Sequence, residues 1–184
     1  MKKLKQALSL LAAFTCLGAA FTILMDTGLP KPGDNSRGSD ANYFAAVGSP
    51  APGFALRNIS NDLVPLQPSK AKVTILNFWS TSCAPCQWEM PELQQLQNQH
   101  PDLLRIIAIN MGDTRDAVTA WRDHFDLSLD LLLDPALEVA KRYRIRGLPT
   151  TFMLDDRLII RAVYFGPITY DQALHDIQRL ALKV

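Results

Sequence analysis

The sequence predicts an α/β domain in which a central mixed sheet is flanked by helices. Three observations predict it. Residues 73–79, VTILNFW, and 103–110, LLRIIAIN, are apolar at nearly every position, as strands covered on both faces are. Apolar residues recur at helical spacing between and after these runs, so strands and helices alternate. Near the C-terminus two strand-like runs meet at Asp155-Asp156, a hairpin that makes one part of the sheet antiparallel.

Each element has its own signal. Residues 53–57 and 63–66 are short β-like pieces around the turn Ser60-Asn61-Asp62, an N-terminal β extension to the sheet. The 73–79 strand follows, with Asn77 as its polar interruption. From Ala84 the pattern turns helical, with Met90, Leu93 and Leu96 three apart, and the segment closes at residues 97–100 before Pro101. The 103–110 strand comes next. Residues 114–125 read as a helix with Ala117, Val118, Trp121 and Phe125 on one stripe. Residues 129–133 form a short strand, and residues 136–143 a helix opened by Asp134-Pro135. The hairpin spans 150–154 and 158–164. Residues 170–182 close the chain as an amphipathic helix carrying Ala173, Leu174, Ile177, Leu180 and Ala181.

The 184 residues allow one domain plus a further segment. That segment is N-terminal. MKKLKQ is basic, and residues 7–25 carry no charge over 19 positions, about 28 Å as a helix. A single-pass anchor is expected, with Lys2, Lys3 and Lys5 on the cytoplasmic side and the remainder across the membrane. The alternative is a signal peptide cleaved near Gly18-Ala19-Ala20, which releases the domain. Cys16 is read as a small apolar filler of this run. Residues 26–48, rich in Pro, Gly, Ser and charge, form a tether. The domain occupies 49–184. Of the net charge of +1, the first 25 residues hold three lysines and no acid, so the remainder is at −2, which excludes strong electrostatic attraction to nucleic acid.

Chemistry concentrates in FWSTSCAPCQWEMPEL, residues 78–93. Cys83 and Cys86 sit two residues apart in a strand-to-helix turn, at the strand end where such sheets collect reactive groups. Cys83 stands near a helix N-terminus, which favours a thiolate, and Cys86 one turn later is more covered. Pro85 is tolerated in a first helical turn. The pair can be a redox couple, half of a metal site or a structural bridge. Zinc takes four ligands, and His100, His124 and His175 are scattered without ligand spacing, so no metal is expected. Lys141, Arg142, Arg144 and Arg146 run toward Pro149 and read either as charge at a helix C-terminus or as a basic rim for an acidic partner.

Three segments together resemble the TlpA/ResA-like branch of thioredoxin-fold proteins. They are VGSPAPGF at 47–54, NFWSTSCAPC at 77–86 with Glu89 and Pro91 beyond it, and GLPTTF at 147–152. The resemblance covers the chain from about residue 47 onward. It implies a thioredoxin-like fold with an extra β-α insertion between residues 111 and 146, and a membrane-tethered, extracytoplasmic thiol–disulfide reductase. Cys83 then resembles the attacking cysteine and Cys86 the resolving one, with their disulfide as the redox-active group and no other cofactor. Pro149 would be cis and face the disulfide, with the Leu148 backbone available to a substrate chain. Glu89 resembles a glutamate that tunes proton transfer to the pair, and Trp79 packs beside it. Pro91 resembles the proline that kinks the family's active-site helix.

Asn77 stands where cytosolic thioredoxins carry a buried aspartate, so acid–base help must come from Glu89 or water. Ser82 replaces the usual tryptophan, which narrows the substrate range. The implied partners are protein disulfides, such as those of apocytochrome c or other envelope proteins, and a membrane thiol-reducing electron donor. The implied place is the periplasmic side of a bacterial cytoplasmic membrane. A dithiol oxidase or isomerase, a peroxidase and a metal-binding module remain as alternatives.

Overall fold

A computed structural model describes residues 45–182. The anchor and most of the tether expected above lie outside the described residues. Among the described residues no helix is long and apolar enough to cross a membrane.

Seven strands form one sheet: β1 (Ala55–Asn58), β2 (Leu63–Pro65), β3 (Val73–Trp79), β4 (Leu104–Met111), β5 (Asp130–Asp134), β6 (Thr150–Asp155) and β7 (Ile160–Phe165). Their order is β2-β1-β5-β4-β3-β6-β7. Strands β3, β4 and β5 run parallel, β6 pairs antiparallel with β3 and β7 antiparallel with β6, so the sheet is mixed. The β1–β2 hairpin pairs antiparallel with β5 and extends the sheet on the far side.

Among the described residues four helices cover it: α1 (Ala84–Gln99), α2 (Arg115–Phe125), α3 (Glu138–Arg142) and α4 (Tyr170–Ala181). Every residue of β3 is buried, and its side chains alternate between two cores. Val73, Ile75 and Trp79 join Met90, Leu93 and Leu96 of α1 and Ile177 of α4. Leu76 and Phe78 face the other way, into Tyr143, Phe152 and Leu154. This period of two sets where the chemistry lies, because it sends Asn77 to the α1 side.

The third helix begins later than the sequence predicts. Leu137 adopts φ 57°, outside the helical region, and helix starts only at Glu138. The Asp134 carboxylate accepts from Glu138 N (3.0 Å) and Ala140 N (2.8 Å), doing from the end of β5 what a helix N-cap side chain does. Thr114 caps α2 rather than belonging to it, and Thr169 and Gln172 form a reciprocal capping box on α4. The hairpin strands are displaced slightly from 150–154 and 158–164 because Leu158, at φ 60°, belongs to the turn. The chain is already fastened at Gly48, whose N–H donates to Ile160 O at 2.8 Å.

Candidate active site

Strand β3 ends at Trp79 and α1 begins at Ala84, so the four residues between them are held at the carboxyl edge of the sheet. Two anchors fix this turn. Cys83 N donates to Ser80 O (3.2 Å), and Thr81 N donates to Asp113 Oδ2 (2.7 Å). Asp113 is in turn held by Asn110 Nδ2 at 2.7 Å. Asn110 and Asp113 were not singled out by sequence. Their signal was the polar end of an otherwise apolar strand.

Cys83 is the N-cap of α1 and is joined to Cys86 by a disulfide. Its sulfur also accepts from Cys86 N at 3.3 Å. The first turn, Ala84 to Gln87, contains no acid, so nothing there offsets the positive end of the helix. Pro85 occupies that turn, where a missing N–H breaks no helical bond. Cys83 keeps 9% of its surface exposed, while Cys86 is wholly covered. Both belong to the buried cluster that contains Trp79, and Leu148 packs against it. Trp79 lies 4.5 Å, centroid to centroid, from Trp121 of α2. The Leu148–Pro149 peptide is cis, and Pro149 O accepts from Gly166 N at 2.9 Å.

The acid of the site is Glu89. A helix glutamate is ordinarily solvated, yet this one is 2% exposed. Asn77 Nδ2 donates to its Oε2 at 2.8 Å, and Ile168 N donates to its Oε1 at 2.9 Å. Thr151 Oγ1 lies 3.4 Å from Oε1 and accepts from Asn77 Nδ2 at 2.9 Å. Asn77 and Thr151 face each other across the β3–β6 pairing, which places both beside α1. Sequence reading missed Thr151 and Ile168 as partners. Thr151 lay within a quoted motif, and its position opposite Asn77 was the available signal. Asn77 Oδ1 and Trp79 Nε1 are buried with no hydrogen-bond partner among the described residues.

Burial pushes the Glu89 carboxyl up to about 7. The donors from Ile168, Asn77 and Thr151 oppose that rise, and the nearby Glu92 carboxylate adds to it. The folded pKa thus lies above the ordinary 4.5, so the folded protein holds the Glu89 proton more tightly than the unfolded chain does. The resulting stabilisation is complete below about pH 4.5 and is lost as the pH rises to 7. Its size is about 3 kcal/mol. We expect denaturant unfolding of the Glu89→Gln protein to lack this component, so that the gap between the two proteins changes by that order between pH 4.5 and 7.5. A gap independent of pH would mean that Glu89 is not held in its neutral form.

Three features define the class: a cysteine pair at a helix N-terminus beyond a central parallel strand, a cis-proline segment, and a mixed sheet with helices on both faces. The protein is a thiol–disulfide oxidoreductase of thioredoxin-like fold. More particularly, residues 47–163 match the AhpC/TSA family, and the chain belongs to it. Thioredoxin-like protein YneN of Bacillus subtilis is 34% identical over 125 residues, 66% of this chain and 73% of that protein. The thiol-disulfide oxidoreductase ResA of Halalkalibacterium halodurans is 31% identical over 146 residues, 76% and 82% of the two chains. Among solved structures, StoA from Bacillus subtilis superposes with a TM-score of 0.60 at 28% identity, covering 70% of this chain and 97% of that one.

Proposed function

We propose that the protein reduces disulfides of other proteins outside the cytoplasm, tethered through residues 7–25. The carrying observation is the asymmetry of the pair. Cys83 caps a helix whose first turn has no acid and retains an exposed edge, whereas Cys86 lies fully covered beneath it.

The reaction runs from the reduced dithiol. Near the positive end of α1 the Cys83 thiol loses its proton readily. Its thiolate attacks one sulfur of a substrate disulfide. That S–S bond breaks, a mixed disulfide forms, and the departing substrate sulfur takes up a proton. Cys86 then attacks the Cys83 sulfur and releases the second substrate thiol, leaving the Cys83–Cys86 disulfide. Glu89 lies one turn beyond Cys86, on the same face of α1. With a pKa of about 7 it accepts the Cys86 proton in one half-cycle and returns it in the other. Asn77 has no proton to exchange, and its role is to orient Glu89. The Leu148 backbone, beside the cis Pro149, is offered for pairing with the substrate chain, as in strand addition. Trp79 and Pro85 shape the floor and the first turn of the site.

Each turnover consumes two electrons, which a dithiol donor in the membrane must restore. The basic-then-apolar residues 1–25 support the membrane location. The test is the reduction potential of the Cys83–Cys86 couple in a thiol redox buffer. A value near or below about −230 mV is expected of a reductase. A value of about −120 to −180 mV would assign the protein to disulfide formation or isomerisation instead.

A further inference from the structure

Of five exposed large apolar side chains among the described residues, two lie together at one site beside the cis-proline segment. Val47 is 63% exposed and Phe165 84%. Both line a depression of about 470 Å³ whose walls include Tyr143, Ile145, Phe152 and Val163. That volume is within the range of sites that take a large side chain or a small ligand. Apolar surface left open beside the cis-proline segment points to a partner that covers it.

Two further observations say what the partner is. Arg144 and Arg146 stand on the wall of the depression. Among the described residues no acid lines the depression, so its rim, with Arg146 on it, favours a carboxylate. The depression also adjoins the cis-proline segment. Thr150, on its wall, directly follows Pro149 and pairs in register with Phe165 across β6 and β7. Phe165 precedes Gly166, which donates to Pro149 O. This pocket lies on the Phe152 side of the sheet, opposite the core that contains Cys86.

The geometry points to a specificity groove for the polypeptide whose disulfide is reduced: Phe165 and Val47 receive an apolar side chain of that partner, and Arg146 pairs with an adjacent carboxylate. A partner strand laid beside Leu148 reaches the groove within a few residues, at about 3.3 Å per residue. The inference rests on the reductase reading above and adds to it the chemistry of the preferred substrate: a disulfide flanked by an apolar residue and an acid.

The test uses the whole protein and two synthetic peptides, each closed by one disulfide. They are identical except for a Leu-Glu or a Leu-Lys pair placed roughly three to five residues from the nearer cysteine. Glutathione disulfide, too small to span both places, is the third substrate. The expected result is a kcat/KM about threefold higher for the acidic peptide, with the preference reversed in Arg146→Glu. Phe165→Ala should lower kcat/KM for both peptides about tenfold, and neither variant should alter glutathione disulfide reduction. Reversal with an unchanged small substrate cannot arise from a general structural defect.

Equal rates on the two peptides in the parent protein and in both variants would overturn the groove. So would dimerisation or binding to anionic lipid vesicles that the same variants abolish while peptide rates stay unchanged, since the face would then belong to a second copy or to a membrane. A parent protein that reduces none of the three substrates would overturn the reductase reading itself, and the groove with it.

Discussion

Replacing Cys83 with serine is expected to lower turnover on protein disulfides by about a thousandfold or more, to the level of the uncatalysed exchange. A hydroxyl does not form the mixed disulfide, and Cys86 cannot substitute because it has no exposed surface. The fold should survive. The bond closes a loop of only four residues, and the chain-entropy estimate for so short a loop is about 2 kcal/mol at most. The Cys86→Ser protein should behave differently: it attacks but does not resolve, and so accumulates a covalent adduct with substrate. Insulin reduction coupled to a dithiol donor, followed by non-reducing gel electrophoresis, reads both results. A Cys83→Ser protein that keeps a tenth of its turnover, or whose main defect is a lowered unfolding midpoint, would show the pair to be a structural bridge.

The largest effect on stability is expected on the other face of the sheet. Phe78 is wholly buried, with its ring 5.2 Å from Tyr143 and 5.9 Å from Phe152, centroid to centroid. Tyr143 and Phe152 are themselves 5.2 Å apart, so the three rings close on one another. Tyr143 OH also donates to Pro52 O at 2.8 Å, which holds the segment before β1 against α3. Phe78→Ala leaves a cavity at the centre of this group and should cost about 3–5 kcal/mol. Against a typical total of about 5–15 kcal/mol, that is a large fraction. The denaturation midpoint measures it, with Leu63→Ala at the exposed sheet edge as a control that should shift little. A loss below about 1 kcal/mol for Phe78→Ala would mean that the rings close over the gap, and that the cluster is softer than its geometry suggests.

What the sequence made legible was whatever depends on near neighbours. Strand β3 was readable because seven successive residues suit burial on both faces, and the cysteine pair because a helical pattern follows it at once. The attacking and resolving positions differ in exposure for the same local reason. The surroundings of Glu89 were not readable. Its partners Thr151 and Ile168 lie 62 and 79 residues further on, and a glutamate followed by Met90-Pro91-Glu92 looks like any solvated helix position. Trp121 was placed on an apolar stripe, but nothing in the stripe named Trp79 as its neighbour. The start of α3 was misplaced because the Asp134 carboxylate caps it from the end of a strand and Leu137 takes a left-handed backbone, two facts with no periodic signature.

The hydrogen bond from Ile168 to Glu89 has a consequence for how the molecule is made. The acid is enclosed by an N–H group that the ribosome adds 79 residues after it. At about 5–20 residues per second, that interval is about 4–16 s. During this time the nascent chain already carries Cys83 and Cys86, while Glu89 keeps the acidity of a glutamate in water. The pair therefore emerges before its proton acceptor is tuned, and the site reaches its working state only when Ile168 has been synthesised and docked against α1.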